Sequence, residues 1–264
     1  MSEFIGTKLT MNLGERSYDI IVKSGSLENL YQFARLDRRV AVVTDSGVPA
    51  QYAQMVADQC KDAHIITVPQ GEASKSFKIL ESVLKQMLEF GMGRGDLVIA
   101  VGGGVVGDLA GFAASIYMRG IDFINCPTTT LSMIDSSIGG KTAVDLGDTK
   151  NIVGAFWQPK LVIVDPDTLA TLPRRHFING LAEAVKASLL ADPELFAIFE
   201  NGDVDAQIGE IICRSLRFKK NIVEQDETEQ GMRKALNFGH TIGHGIEAVK
   251  GIKGRRTVGL FHGE

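Results

Sequence analysis

The apolar run DLVIAV (Asp96–Val101) passes without a break into GGGVVGDLAGF (Gly102–Phe112), and no other stretch constrains the fold as much. The first segment reads as a buried strand and the second as a helix, so the chain must turn from strand to helix across consecutive glycines. Gly102, Gly104 and Gly107 satisfy G-x-G-x-x-G in the setting that gives the pattern meaning. Without Cβ atoms, the amides that open such a helix can approach a pyrophosphate, and the helix dipole favours its charge. The same glycines can also serve only to make a tight turn. In the usual dinucleotide scheme an acidic residue about 20 positions further on binds the ribose, which here is Asp122. Asp122 opens a strand, however, whereas Asp45 closes the strand VAVVT at a carboxyl edge, where open α/β sheets bind ligands. Asp45 is therefore the expected ribose carboxylate.

From Arg39 onward short apolar runs alternate with amphipathic ones. VAVVT (Val40–Thr44) precedes a helical pattern around Tyr52–Cys60; AHIITV (Ala63–Val68) precedes another through Ser76–Phe90. DFINCP and KLVIVD follow as a further pair of strands. This βαβ rhythm predicts a parallel sheet. Beyond Leu172–Pro173 the segments INGLAEAVKASLL, IGEIICRSLRFKKNIVEQ and GHTIGHGIEAVK are helical in period. The expected fold class is thus α/β: a Rossmann-like parallel-sheet domain over residues 1–172 that binds a dinucleotide, then an all-helical metal- and substrate-binding domain over 173–264. A ligand cleft is expected between them.

Composition narrows the function. A 44% hydrophobic content over 264 residues supports a large core. A formal charge of −4 argues against nucleic acid or an anionic membrane as partner, so any anionic ligand must meet locally gathered cations. The opening residues lack a signal-peptide pattern and no stretch reads as a membrane span, which makes a cytoplasmic protein the expectation. Cys60, Cys126 and Cys213 are isolated in apolar surroundings and read as reduced core thiols.

In MIDSSIGGKTAVDLGDTKNIVGAF, Asp135, Lys141, Lys150 and Asn151 interrupt small and apolar residues. Such a segment is either a solvated loop or an anion pocket. In NGLAEAVKASLL, helical phasing puts Leu181, Val185 and Leu189 on one stripe and Glu183 with Lys186 on the other side, as an exposed ion pair or as groups facing a cleft. His240 and His244 lie four apart on one helix face, and His262 follows in LFHGE. The two histidines can share a metal, divide the work between metal and substrate, or be structural. With Glu183 as an oxygen ligand, a Glu/His/His site with an open fourth position suits catalytic zinc.

The motifs GE-x-x-K (Gly71–Lys75), GGGVVGDLAGF, YMRG (Tyr117–Gly120), PTTTL, DSSIGGKT, KN-x-x-GAF, GLAEAVK, NFGHTIGH and HGE occur in this order, and together they resemble the 3-dehydroquinate synthases. The resemblance implies NAD contacts at Asp45, Glu72, Lys75, Gly103, Gly104, Asp108, Thr128 and Thr129, with Lys141 and Lys150 near both cofactor and substrate. It implies zinc, replaceable by cobalt, on Glu183, His240 and His262, and His244 on the substrate side. Asp135, Lys141, Lys150, Asn151, Lys186, Lys219, Arg233 and Asn237 match substrate contacts, and Arg119 matches an arginine lent across a homodimer interface. The implied activity closes a seven-carbon sugar acid phosphate into a carbocycle with loss of phosphate, in the shikimate route to aromatic amino acids. Related sugar phosphate cyclases of secondary metabolism and metal-dependent polyol dehydrogenases are the enzyme alternatives; a non-catalytic NAD-binding module is the alternative outside enzymes. Thr130 stands where the family often has leucine, and KASLL replaces a tyrosine-glycine after the helix lysine. The family continues past HGE through further helices that carry another substrate lysine, so a C-terminally truncated chain is expected.

Overall fold

The computed structural model describes residues 6–239; His240, His244 and His262 lie outside the described residues. In chain order, β1 (Thr7–Met11) and β2 (Tyr18–Val22) precede β3 (Arg39–Asp45), α1 (Ala50–Ala57), β4 (Asp62–Val68), α2 (Phe77–Glu89), β5 (Leu97–Gly102), α3 (Gly104–Ile116) and β6 (Asp122–Pro127). Next come β7 (Lys141–Leu146), β8 (Thr149–Phe156), β9 (Leu161–Val164), α4 (Arg174–Ala191), α5 (Pro193–Asn201) and α6 (Ile208–Gln225), with a 3-10 turn at Met232–Asn237. The main sheet has the order β4-β3-β5-β6-β9-β2-β1 and is parallel except for β1. Val40–Val43 and Leu97–Val101 are fully buried, as expected of strands covered on both faces, and this is why they read as unbroken apolar runs. Among the described residues no helix is long and apolar enough to cross a membrane.

Two features differ from the rhythm read in the sequence. Residues before Arg39 supply the hairpin β1–β2, which extends the sheet through the β2–β9 pairing. The charged segment after β6 is neither a loop nor an extra strand of the main sheet: a π-helical turn at Ser132–Ser136 leads into the separate hairpin β7–β8.

The buried side chains alternate between the two faces of the sheet. One face carries Val40, Val42, Leu97, Ile99, Ile124 and Ile163 against α1 and the chain around Leu27–Leu30. On the opposite face, Ala41, Val43, Val98 and Ala100 meet α2 and α3, while further along Ile20, Val22, Val162 and Val164 meet α4 and α6. The two apolar clusters on this face part at β6, where Asn125 is buried. A polar seam therefore runs between α3 and the helical group.

The phasing expected for α4 is corrected by its packing. Leu189 is 61% exposed, and Leu181 and Val185 are only partly covered. The buried side carries Phe177, Gly180, Glu183, Ala184, Ala187 and Ser188 instead. The reason is a backbone approach: a Cβ on Gly180 would stand 2.3 Å from the Leu131 amide nitrogen and 2.6 Å from Thr130 Cβ. The helix therefore turns its small residues inward, and Glu183 goes with them.

Gly180→Ala should destabilise the protein by about 1–3 kcal/mol, because backbone on both sides must shift to admit the methyl group. Gly95, where an added methyl group would meet only open space, should accept alanine at a change within about 1 kcal/mol. Urea unfolding of both variants checks this, and equal midpoints would contradict the close approach of α4.

Candidate active site

The direction of strand addition reverses between β3 and β5: β4 lies on one side of β3, whereas β5, β6 and β9 follow on the other. Crossover helices α1 and α2 pack on opposite faces and leave a crevice outside the carboxyl ends, the usual ligand position in such sheets. Register decides what meets there. Val43 pairs with Ala100, which sets Asp45 level with Gly102, and Gly102 pairs with Pro127. Asp45, the Gly102–Gly104 turn and Thr128–Thr129 thus share one edge. Asp122 pairs with Leu97 at the opposite edge, and meets Arg38 at 2.9 Å and Lys160 at 3.9 Å.

Asp45 is 8% exposed. Burial pushes its carboxyl above the ordinary aspartate range, and the amides of Gly47 (2.7 Å) and Val48 (3.2 Å), both donating to Oδ1, pull it partway back. At the glycine turn, Gly103 precedes α3 without any side-chain cap. A Cβ there would lie 3.1 Å from Thr129 Cγ2, and one on Gly104 would lie 3.0 Å from Ser136 Oγ. The helix consequently opens with bare amides, the arrangement that receives phosphate oxygens. Thr129 is fixed by a 2.8 Å hydrogen bond between its hydroxyl and that of Ser132, in the π-helical turn.

Beside this edge Lys75 is 4% exposed. Its ammonium donates to Asp108 Oδ2 at 2.6 Å and to Asn151 Oδ1, and lies 3.8 Å from Glu72. Burial alone would lower its pKa, but Asp108, Glu72 and Asp145 outweigh burial and hold it above the ordinary lysine value.

The seam supplies a second cluster. Lys219 lies on the buried stripe of α6 and donates to both Asp135 Oδ1 (2.9 Å) and the Asp135 carbonyl (2.7 Å). Burial lowers its pKa, and Asp135 partly restores it. Its charge also reaches Asp108, which links the two clusters. Arg233 is 1% exposed and donates to the carbonyls of Gly139 (3.0 Å) and Glu227. Gly139 must be glycine for this contact, since its φ is +94° and a Cβ would come within 2.5 Å of the guanidinium. Lys186 pairs with Glu183 and donates to the Leu236 carbonyl at 2.5 Å. Lys141 pairs with Glu229, whose other oxygen accepts from Asn237 at 3.1 Å. Burial tends to raise the pKa of Glu229, yet Lys141 and Asn237 bring it below the ordinary glutamate value.

Lys150 is exposed on β8. Arg119 is also exposed, on a left-handed turn with φ of 48° at Met118 and 73° at Arg119. It follows the far end of α3, about 20 Å from the glycine turn at 1.5 Å per residue. Among the described residues no three His, Cys, Asp or Glu side chains form a metal-binding group; Glu183 is the one expected ligand within them. The sequence reading misses Glu229, which resembles its neighbours in an acidic loop, and Tyr18, whose hydroxyl accepts from the Gly139 amide at 3.2 Å.

Comparison with known proteins adds a family. Residues 65–179 match the family described as 3-dehydroquinate synthase N-terminal, and residues 180–264 match 3-dehydroquinate synthase C-terminal. A 3-dehydroquinate synthase of Pelobacter propionicus is 43% identical over 269 aligned residues, 97% of this chain and 74% of the relative. A 2-deoxy-scyllo-inosose synthase complexed with carbaglucose-6-phosphate, NAD+ and Co2+ superposes with a TM-score of 0.84 at 28% identity, covering 91% of this chain and 70% of that one. A 2-epi-5-epi-valiolone synthase from Streptomyces hygroscopicus with NAD+ and Zn2+ bound gives 0.79 at 32% identity, covering 89% and 69%.

Asp45→Asn keeps an acceptor for the Gly47 and Val48 amides and removes a buried charge. Because the folded pKa of Asp45 is raised, its stability contribution is complete below the unfolded pKa and is lost as pH rises through the folded one. The variant should therefore have a higher Tm than the parent at neutral pH, and the gap should close in acid. A lower Tm at neutral pH would show instead that the charge supports the fold.

Proposed function

The chain belongs to the 3-dehydroquinate synthase family, and from that premise we propose that it is an NAD- and zinc-dependent lyase converting 3-deoxy-D-arabino-heptulosonate 7-phosphate to 3-dehydroquinate and phosphate. The observation that carries this reading is the junction of two clusters. The bare helix start and Asp45 form a dinucleotide cradle, and the Lys219–Asp135 and Lys75–Asp108–Asn151 groups gather polar and cationic side chains beside it. An acidic protein needs such local cations to hold a ligand with a carboxylate and a phosphate.

In this reading Asp45 accepts from the ribose, the opening amides of α3 and Thr128–Thr129 hold the pyrophosphate, and Glu72, Lys75 and Asp108 complete the cofactor side. The crowding of Gly103 and Gly104, which leaves those amides uncovered, fits the dinucleotide. Glu183 is a buried oxygen donor on α4, which fits one zinc ligand; His240 and His262 would complete the set, with His244 toward substrate. When bound, NAD supplies reversible hydride acceptance and the metal supplies Lewis-acid polarisation of a hydroxyl. The protein's own part is to hold the substrate. Lys141, Lys150, Lys186, Lys219, Arg233 and Asn237 orient its carboxylate, hydroxyls and phosphate, Asp135 and Asn151 fix those groups, and the departing phosphate takes up the proton from the neighbouring carbon. Burial of Lys219 and Arg233 strengthens their attraction for an anion.

Arg119 stands beyond the far end of α3, away from the glycine turn, and in this reading it serves the partner's site in a homodimer. The division into an NAD-binding domain over 1–172 and a metal- and substrate-binding domain over 173–264 is part of the same proposal. Pro173 caps α4 at that point, although the apolar cluster beneath α4 and α6 includes residues from both sides of it.

The test is turnover with the heptulosonate phosphate. Phosphate and 3-dehydroquinate should appear in equal amounts without net NADH, chelation should stop the reaction, and zinc or cobalt should restore it. Net NADH with a simple polyol would instead identify a dehydrogenase, and cyclisation of a sugar phosphate lacking the carboxylate would identify a cyclase of secondary metabolism. In thermal unfolding, NAD should protect the parent and Asp122→Ala but protect Asp45→Ala much less; the reverse ranking would overturn the ribose assignment.

A further inference from the structure

The ladder of the β7–β8 hairpin slips between Val144 and Leu146, and the residue at the irregularity is Asp145. Freed from its ladder, the Asp145 amide donates to the Lys75 carbonyl at 2.8 Å, and an isolated bridge joins Asp145 to Ser76. Its carboxylate turns back into the hairpin, where Oδ1 accepts from the Asn151 amide at 2.7 Å. Asn151 has a φ of 55°, a left-handed conformation uncommon outside glycine that persists where its surroundings enforce it. The Lys75 ammonium donates to the Asn151 side-chain oxygen. Three residues thus close a ring in which each is tied to the other two.

We propose that Asp145 is a positioning residue that couples the cofactor side of the site to the substrate side. The proposal rests on the reading that Lys75 meets NAD and Asn151 meets substrate. Bulges commonly re-aim residues beside active sites; here the bulge lets one residue hold the backbone of the Lys75 turn and the strained amide of Asn151 together. NAD that settles against Lys75 then fixes Asn151 through Asp145. Substrate meets a preformed contact, and each ligand tightens the binding of the other.

The experiment compares Asp145→Ala, Asp145→Asn and Asn151→Ala. For each, kcat/KM for the heptulosonate phosphate is measured, and NAD affinity is measured by calorimetry with and without a non-reacting phosphonate analogue of the substrate. Asp145→Ala should lower kcat/KM by roughly 10- to 100-fold, the scale of a misplaced contact group, and NAD affinity should no longer respond to the analogue. Asp145→Asn, which keeps the acceptor, should recover most of both. If Asp145→Ala does not fold, Asp145→Glu, which displaces the acceptor by one methylene, replaces it with the same expectation. Parental coupling in Asp145→Ala, or an asparagine variant as impaired as alanine, overturns the proposal while Asn151→Ala is impaired. An Asn151→Ala enzyme with parental kcat/KM shows instead that the reading of Asn151 is wrong, and the proposal falls with it.

Discussion

The reversal of strand order between β3 and β5 is the constraint on which the catalytic face depends. Because the flanking crossovers leave the sheet in opposite directions, neither helix can cover the carboxyl ends of these two strands. Whatever lies at those ends must tolerate an open crevice without apolar cover. The residues there meet that condition in two ways: Asp45 carries a charge satisfied on one oxygen by backbone amides, and the glycine turn presents backbone alone. A register change of one residue in β3 would move Asp45 to the other face and dissolve the arrangement.

The seam on the same face follows from a second constraint. Where the apolar clusters separate at β6, buried charge is sustained only by pairing. Lys219 has Asp135 and Lys186 has Glu183 in the seam, just as Lys75 has Asp108 beside the glycine edge. Arg233 is held differently, by carbonyl oxygens and the nearby ring of Phe156. Buried ion pairs are poor sources of stability compared with apolar packing of equal volume. Their concentration in one seam is therefore better explained by what they can bind than by what they hold together.

Much of this is legible in the sequence, and for identifiable reasons. The central strands are covered on both faces, so their residues are uniformly apolar and their limits stand out. The position of Asp45 at a strand end follows directly. The β7–β8 hairpin is hidden because Leu146, Ile152 and Phe156 are exposed while Thr142 is buried, which breaks the apolar-in, polar-out alternation that marks a strand. A helical wheel separates Glu183 from the Leu181–Val185–Leu189 stripe correctly but takes that apolar stripe as the inward face, because it ranks faces by hydrophobicity. The inward face is chosen by Gly180, whose lack of a side chain matters only once the Thr130–Leu131 backbone is known to lie against it. Glu229 and Asp145 act on partners brought near by topology, and no local pattern announces such contacts.

In the proposed reaction the cradle and the seam act as one site in which a substrate is oxidised, loses phosphate and is reduced again. The most direct measurement follows the hydrogen on the carbon to be oxidised. With heptulosonate phosphate deuterated at that carbon, the 3-dehydroquinate should retain the label, with one phosphate per product and no accumulation of NADH. Phosphate release with the label lost to solvent, or label accumulating in NADH, would contradict the proposed reaction.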